Sequence, residues 1–181
     1  MFAGPKVTLQ QVLDNRERRV SRQQKWVKDY SLPLISFTIN MMGEIKRNKL
    51  SQIAFERGYI AILEACRTEN LSIISIEKFS SVTGVELLIA VESSSVEVLK
   101  RRMVNIEDEH PLGRLFDIDV VDNKGAALSR DNLRLARRPC LLCDRDAKVC
   151  ARSRNHALSE LKQKMSEMIN DCEQLDPLVT Q

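Results

Sequence analysis

Aromatic residues make up only 4% of this 181-residue chain. Trp26, Tyr30, Tyr59 and five phenylalanines are all it has. None interleaves with its basic stretch, so the stacking platform of a single-stranded nucleic-acid binder is missing. Long apolar runs are also missing: none approaches the roughly 20 residues that span a bilayer, which excludes a membrane helix. The opening MFAGPKVTLQQVLDNRERR lacks the apolar core of a signal peptide, and the expectation is a cytoplasmic protein. An excess of one charge is absent too, since the net charge is only +3. Five cysteines, an odd number with no secretion signal, argue against a disulfide framework and for reduced thiols or metal ligands. No internal repeat or low-complexity segment is found.

What is present is a core and a local charge. Forty-three per cent hydrophobic residues suffice for one domain spanning 1–181. Between 130 and 154, Arg130, Arg134, Arg137, Arg138, Arg145, Lys148, Arg152 and Arg154 face only Asp131, Asp144 and Asp146. Such a surplus suits a phosphate-bearing ligand or an acidic partner, or is simply a solvated loop.

Helical spacing over 8–28 starts from Thr8 and Gln11, placed as a capping box, and its other face is rich in arginine. Residues 34–41 (LISFTINM) alternate as a strand. A helix over 50–66, strands over 71–79 and 85–91, a helix opened by Ser94 and Glu97, and a strand over 115–121 follow. The order strand, helix, strand, strand, helix, strand predicts an α+β fold: a ferredoxin-like βαββαβ core over about 34–129, its antiparallel or mixed sheet carrying helices on one face. A Cys/Arg-rich basic loop over 130–154, a C-terminal helix over 155–172 and a polar tail complete the chain.

Two features carry chemistry. In HPLGRLFDIDVVD, residues 110–122, Phe116, Ile118 and Val120 face one side of the strand while Asp117 and Asp119 face the other. Paired carboxylates about 6.6 Å apart along a strand can converge on one hard cation such as Mg²⁺. That ion would neutralise charge on a pyrophosphate leaving group. The bland alternative is an exposed sheet face where the aspartates meet cross-strand cations. Arg114 offers a planar fork for a phosphate, and Gly113 lets backbone approach a ligand closely. His110 is either a residue at a helix C-terminus or a proton shuttle. The second feature is Cys140-x₂-Cys143-x₆-Cys150-x₅-His156, a set that fits a structural Zn²⁺, buried packing, or thiols activated by neighbouring arginines.

The run HPLGRLFDIDVVD, followed by LSR at 128–130, RRPCLLC and VCARSRNH, resembles the holo-citrate lyase synthase family, also called apo-citrate lyase phosphoribosyl-dephospho-CoA transferase. The resemblance extends to LISFTIN from Leu34, to G-x-I-K over 43–46 and to T-G-x-E over 83–86. It implies transfer of a phosphoribosyl-dephospho-CoA group from 2′-(5″-triphosphoribosyl)-3′-dephospho-CoA to a serine on the acyl carrier (γ) subunit of citrate lyase, with release of diphosphate. Asp117 and Asp119 become metal ligands in that chemistry. Arg114, Lys46, Arg130 and Arg134 become phosphate contacts, and Glu86 or His110 a base. The chain departs from the family where Gly43-Glu44 and Gly84-Val85-Glu86 stand in place of Gly-Pro and Gly-Pro-Glu, leaving both loops less fixed. Two rival readings are a non-catalytic zinc-stapled binding module and an escort for the carrier subunit. No nucleic acid and no membrane are expected as partners.

Overall fold

In a computed structural model, residues 2–175 are described; the polar tail from 176 lies outside them. The first helix, α1 (Leu9–Tyr30), begins with the expected box. The Thr8 hydroxyl accepts from the Gln11 N–H, and the Gln11 side chain accepts from the Thr8 N–H. It ends on Ser31, which turns the chain through a left-handed conformation at φ 55°. There follow β1 (Leu34–Ile39), α2 (Lys49–Thr68), β2 (Ser72–Ser81), β3 (Gly84–Glu92), α3 (Val96–Glu109), β4 (Phe116–Val121), β5 (Ala127–Leu128), α4 (Ala147–Ser153) and α5 (Leu158–Leu175). Ser95, not Ser94, caps α3. The strands lie in the order β2-β3-β1-β4-β5, and every pairing is antiparallel.

The sheet is covered on both faces, which corrects the expectation of helices on one. Ile35, Phe37, Leu87, Ile89, Phe116, Ile118 and Val120 meet Leu50, Phe55 and Ile62 of α2, Leu99 and Met103 of α3, and Met165 and Ile169 of α5. On the second face Leu34, Leu88, Ala90 and Val121 meet Trp26 and Val27 of α1. Ser36 and Thr38 lie on that second face and are buried, so polar alternation in β1 did not mean solvent.

Phe37 is the keystone of the first face. Its ring stacks on Phe55 at 5.1 Å and meets the Phe116 edge at 5.5 Å. Gly58 of α2 closes over it, and an added Cβ there would sit 2.3 Å from the Phe37 ring. With Phe37 fully buried, the ring cannot yield. Gly58→Ala should therefore cost about 1–3 kcal/mol in urea unfolding at unchanged m-value, as overpacking does.

The two sheet edges are finished differently. β2 exposes Ile73, Ile74 and Ile76, and its register with β3 slips between Ile73 and Ser75. At the other edge β5 pairs only with Val120 and Val121 of β4. The outer edge of the earlier part of β4 is finished by side chains of α3: the Ile118 N–H donates to Glu107 and the Ile118 carbonyl accepts from Lys100, each at 2.8 Å. Among the described residues no helix is long and apolar enough to cross a membrane.

Candidate active site

Register places the acidic residues. Thr38 stands opposite Glu86 on one side and Asp117 on the other, and Ser36 stands opposite Asp119. Residues directly opposite one another share a face. Glu86, Asp117 and Asp119 therefore all lie on the second face, Glu86 and Asp117 two strand spacings, or roughly 10 Å, apart.

Their surroundings divide them. Glu86 is buried and fully engaged by one stripe of α1. Asn15 donates to its Oε1 at 2.5 Å, Arg19 to the same atom at 3.0 and 3.1 Å, and Arg22 to Oε2 at 2.5 Å. Both oxygens are taken by donors, so this carboxylate is where α1 fastens to the sheet. Lys46 shares a small polar crevice with Glu86, Arg19 and Thr83. Its ammonium donates to the Met41 carbonyl at 2.5 Å, and burial holds its pKa below the usual lysine value.

Asp117 and Asp119 instead form the floor of a groove of about 360 Å³. Lys100 and Glu107 line it from α3, and Ser129, Arg130, Arg137 and Arg138 from the chain after β5. Lys148 reaches it from α4. Among the described residues no hydrogen bond or ion pair joins either aspartate to a cation. Asp119 keeps solvent access, but loss of surrounding water and then the Asp117 charge raise its carboxyl pKa, with Lys100 opposing. The two carboxylates share the groove with five cations, Lys100, Arg130, Arg137, Arg138 and Lys148, and with three further carboxylates, Glu107, Asp131 and Asp146.

Other residues singled out in the sequence sit elsewhere. The His110 ring packs on Phe116 at 4.9 Å, and Phe116 faces the first side of the sheet, opposite to Asp117. Its Nδ1 accepts from the Leu112 N–H at 2.9 Å. Burial, followed by the Arg57 charge, lowers its pKa. Gly113 is required by its own chain: a Cβ would strike the Ile106 and Glu107 carbonyls at 2.5 Å. Arg114 donates to the Pro139 carbonyl, while its Nη1 is buried without a hydrogen-bond partner. Arg134, exposed and left-handed at φ 54°, does not line the groove. Arg130 does, but its guanidinium is held by Glu107 at 2.8 Å and Asp108 at 2.7 Å. Arg138 is held by Glu107 as well.

Lys100 and Glu107 were missed in the sequence although a signal was there. Val96, Lys100, Met103 and Glu107 recur at 4-3-4 spacing, which puts two charges in the apolar stripe of α3.

The stretch 130–154 is more structured than a loop. A short 3₁₀ turn (Asp131–Leu133) is followed by a bridge pairing Pro139 with Asp146 and by α4, N-capped by Asp146. The Cys140 N–H donates to the Arg145 carbonyl at 2.6 Å across the bridged segment. This framework gathers Cys140, Cys143, Cys150 and His156 so that their ligand atoms all lie within 4.8 Å of one another. Cys143 and Cys150 sulfurs are 3.5 Å apart, and His156 Nε2 is 3.3 and 3.9 Å from them. A tetrahedral ion with metal–sulfur bonds of about 2.3 Å sets its sulfurs roughly 3.8 Å apart. Desolvation and the neighbouring thiols push the Cys150 thiol up to about 11, and a bound cation would favour its thiolate. The cluster could bind a metal ion. Its helix α4 also presents Ala147, Lys148 and Ala151 to the groove.

Comparison with known proteins bears on all of this. A family model described as apo-citrate lyase phosphoribosyl-dephospho-CoA transferase matches residues 7–172. A Vibrio cholerae serotype O1 protein named a probable apo-citrate lyase phosphoribosyl-dephospho-CoA transferase is 44% identical over 165 residues, covering 91% of this chain and 93% of its own. A Citrobacter koseri protein named apo-citrate lyase phosphoribosyl-dephospho-CoA transferase is 36% identical over 167 residues (92% and 91%), and one of the same name from Escherichia coli O139:H28 is 34% identical over 165 residues (91% and 90%).

Proposed function

Because the chain belongs to the apo-citrate lyase phosphoribosyl-dephospho-CoA transferase family, we propose that it catalyses a nucleotidyltransferase-type reaction in the groove above Asp117 and Asp119. The acceptor is a serine hydroxyl on the acyl carrier (γ) subunit of citrate lyase, and the donor is 2′-(5″-triphosphoribosyl)-3′-dephospho-CoA. The serine oxygen bonds to the phosphorus on the 5″ oxygen, the bond to the next phosphate breaks, and diphosphate leaves as the serine proton is lost. The product is a phosphodiester joining carrier and prosthetic group.

The observation that carries this reading is the unpartnered pair of carboxylates flanked by cations in one groove. Asp117 and Asp119 would hold a Mg²⁺-type cation, whose chemistry is to offset charge on the departing diphosphate. Lys148 supplies exposed positive charge along the groove for the polyphosphate, Arg137 lies beside it paired with Asp131 at 2.9 Å, and Arg130 and Arg138 shape its wall. Such a reaction needs alignment more than covalent help, and a groove fixed by strand and helix side chains supplies alignment. Glu86, fastened to α1, serves position rather than proton transfer. Cys140, Cys143, Cys150 and His156 would hold a structural Zn²⁺, which would steady the wall. On the same reading the sheet is a ferredoxin-like platform within a single cytoplasmic domain.

The test is to incubate the protein with triphosphoribosyl-dephospho-CoA, Mg²⁺ and apo carrier subunit, then weigh the carrier by mass spectrometry. A gain equal to one phosphoribosyl-dephospho-CoA group, seen only when enzyme, donor and carrier are all present, is expected. An unmodified carrier that nonetheless binds the protein would replace the enzyme with an escort.

A further inference from the structure

The peptide group of Ile118 lies between the two aspartates of the groove floor. Glu107 takes its N–H and Lys100 its carbonyl, both at 2.8 Å, along an edge that β5 leaves unpaired. Glu107 and Lys100 are only 2% and 4% exposed. Side chains this enclosed offer a substrate almost no surface, so they act through what they hold. Glu107 holds more than the strand: its Oε1 also receives Arg138, and its Oε2 receives Arg130 at 2.8 Å. Arg130 in turn reaches the Ala136 carbonyl at 3.3 Å. One buried carboxylate thus joins α3, the strand bearing Asp117 and Asp119, and the segment that walls the groove.

We infer that Glu107, seconded by Lys100, is a positioning residue that fixes the aspartate floor and the arginine wall in one frame. Without it the two halves of the groove would lose their common reference. A misplacement of about 1 Å in such a site costs on the order of 10²-fold in rate. Lys100 does the complementary task at the carbonyl and brings a positive charge against Glu107, which makes burial of that carboxylate tolerable.

The kinetic part rests on the transferase reading; the structural part does not, and the experiment separates them. Glu107→Gln is nearly isosteric. It keeps an acceptor for the Ile118 N–H but loses the charge that holds Arg138 and one of the two carboxylates that hold Arg130, the other being Asp108. Amide hydrogen exchange followed by NMR should show the amides of Leu133, Arg134 and Leu135, bonded within the wall segment, exchanging at least ~10-fold faster while Ile118 stays protected. In Glu107→Ala both regions should quicken. Unchanged exchange of the wall segment in Glu107→Gln would overturn the inference. In the transfer assay Glu107→Gln should lower kcat ~10²-fold, and adding Arg138→Gln should cost little more, because the arginine is already released. A normal kcat beside fast exchange, or fully additive losses, would refute the positioning role. Failure of the unmutated protein to transfer would count against the transferase reading alone, with the exchange result still deciding whether Glu107 joins floor to wall.

Discussion

Asp117→Asn and Asp119→Asn should each reduce carrier modification by about 10²–10³-fold, the range seen when one preorganised electrostatic contact is removed. Both should remain folded. Among the described residues neither carboxylate is hydrogen-bonded or ion-paired to a cation, and for Asp119 the loss of water and the Asp117 charge outweigh the attraction of Lys100. The pH behaviour gives a sharper check. The Asp119 carboxyl titrates above its ordinary value in the folded protein, chiefly through loss of water and the Asp117 charge. The native state therefore binds this proton more tightly than the unfolded chain, and stability falls as pH rises through that window. Its ionised form is a burden at neutral pH, so Asp119→Asn should unfold at an equal or higher urea midpoint at pH 7. The gain should shrink below the ordinary aspartate range, near pH 4. A single-turnover rate within a few-fold of the unmutated enzyme in both variants at saturating Mg²⁺ would remove these residues from the chemistry.

The second large effect concerns the thiol–imidazole cluster. Protein purified without chelator should carry one zinc per chain by elemental analysis, and Cys143→Ser should carry far less. Because α4 places Cys150 in the cluster and Lys148 in the groove, losing the ion should loosen the wall and cut transfer by about 10²-fold, the cost of a small misplacement. The main core should survive, since its residues come from the sheet, α2, α3 and α5. Far-UV circular dichroism should change little while trypsin cleavage within 130–154 accelerates. Substoichiometric metal together with normal transfer in Cys143→Ser would mean that the cluster is packing alone.

Local pattern carried the element order from Leu34 to Val121, because each segment has its own period and its own cap or turn. The aspartate pair and the Cys–His set were visible for the same reason: each is a short-range spacing. Sidedness was not visible. The stripe Asn15, Arg19 and Arg22 looks like a solvated face until register places Glu86 beneath it. Ser36 and Thr38 look exposed for want of knowing that α1 lies across the second face. His110 and Arg114 are neighbours of the aspartates in sequence, but the strand's alternation and the turn before it send them to other surroundings. The abundance of arginine is plain in the sequence, yet only the fold shows that Arg130 and Arg138 are held by a buried glutamate.

The slip between Ile73 and Ser75 also matters at high concentration. A ten-residue outermost strand with three exposed isoleucines has what a template for intermolecular ladders needs. The extra residue at Ile74 bends and twists that border, so a second straight strand cannot stay in step along its full length. This irregularity should hinder fibril growth, and a variant with Ile74 deleted should aggregate faster while leaving the groove untouched.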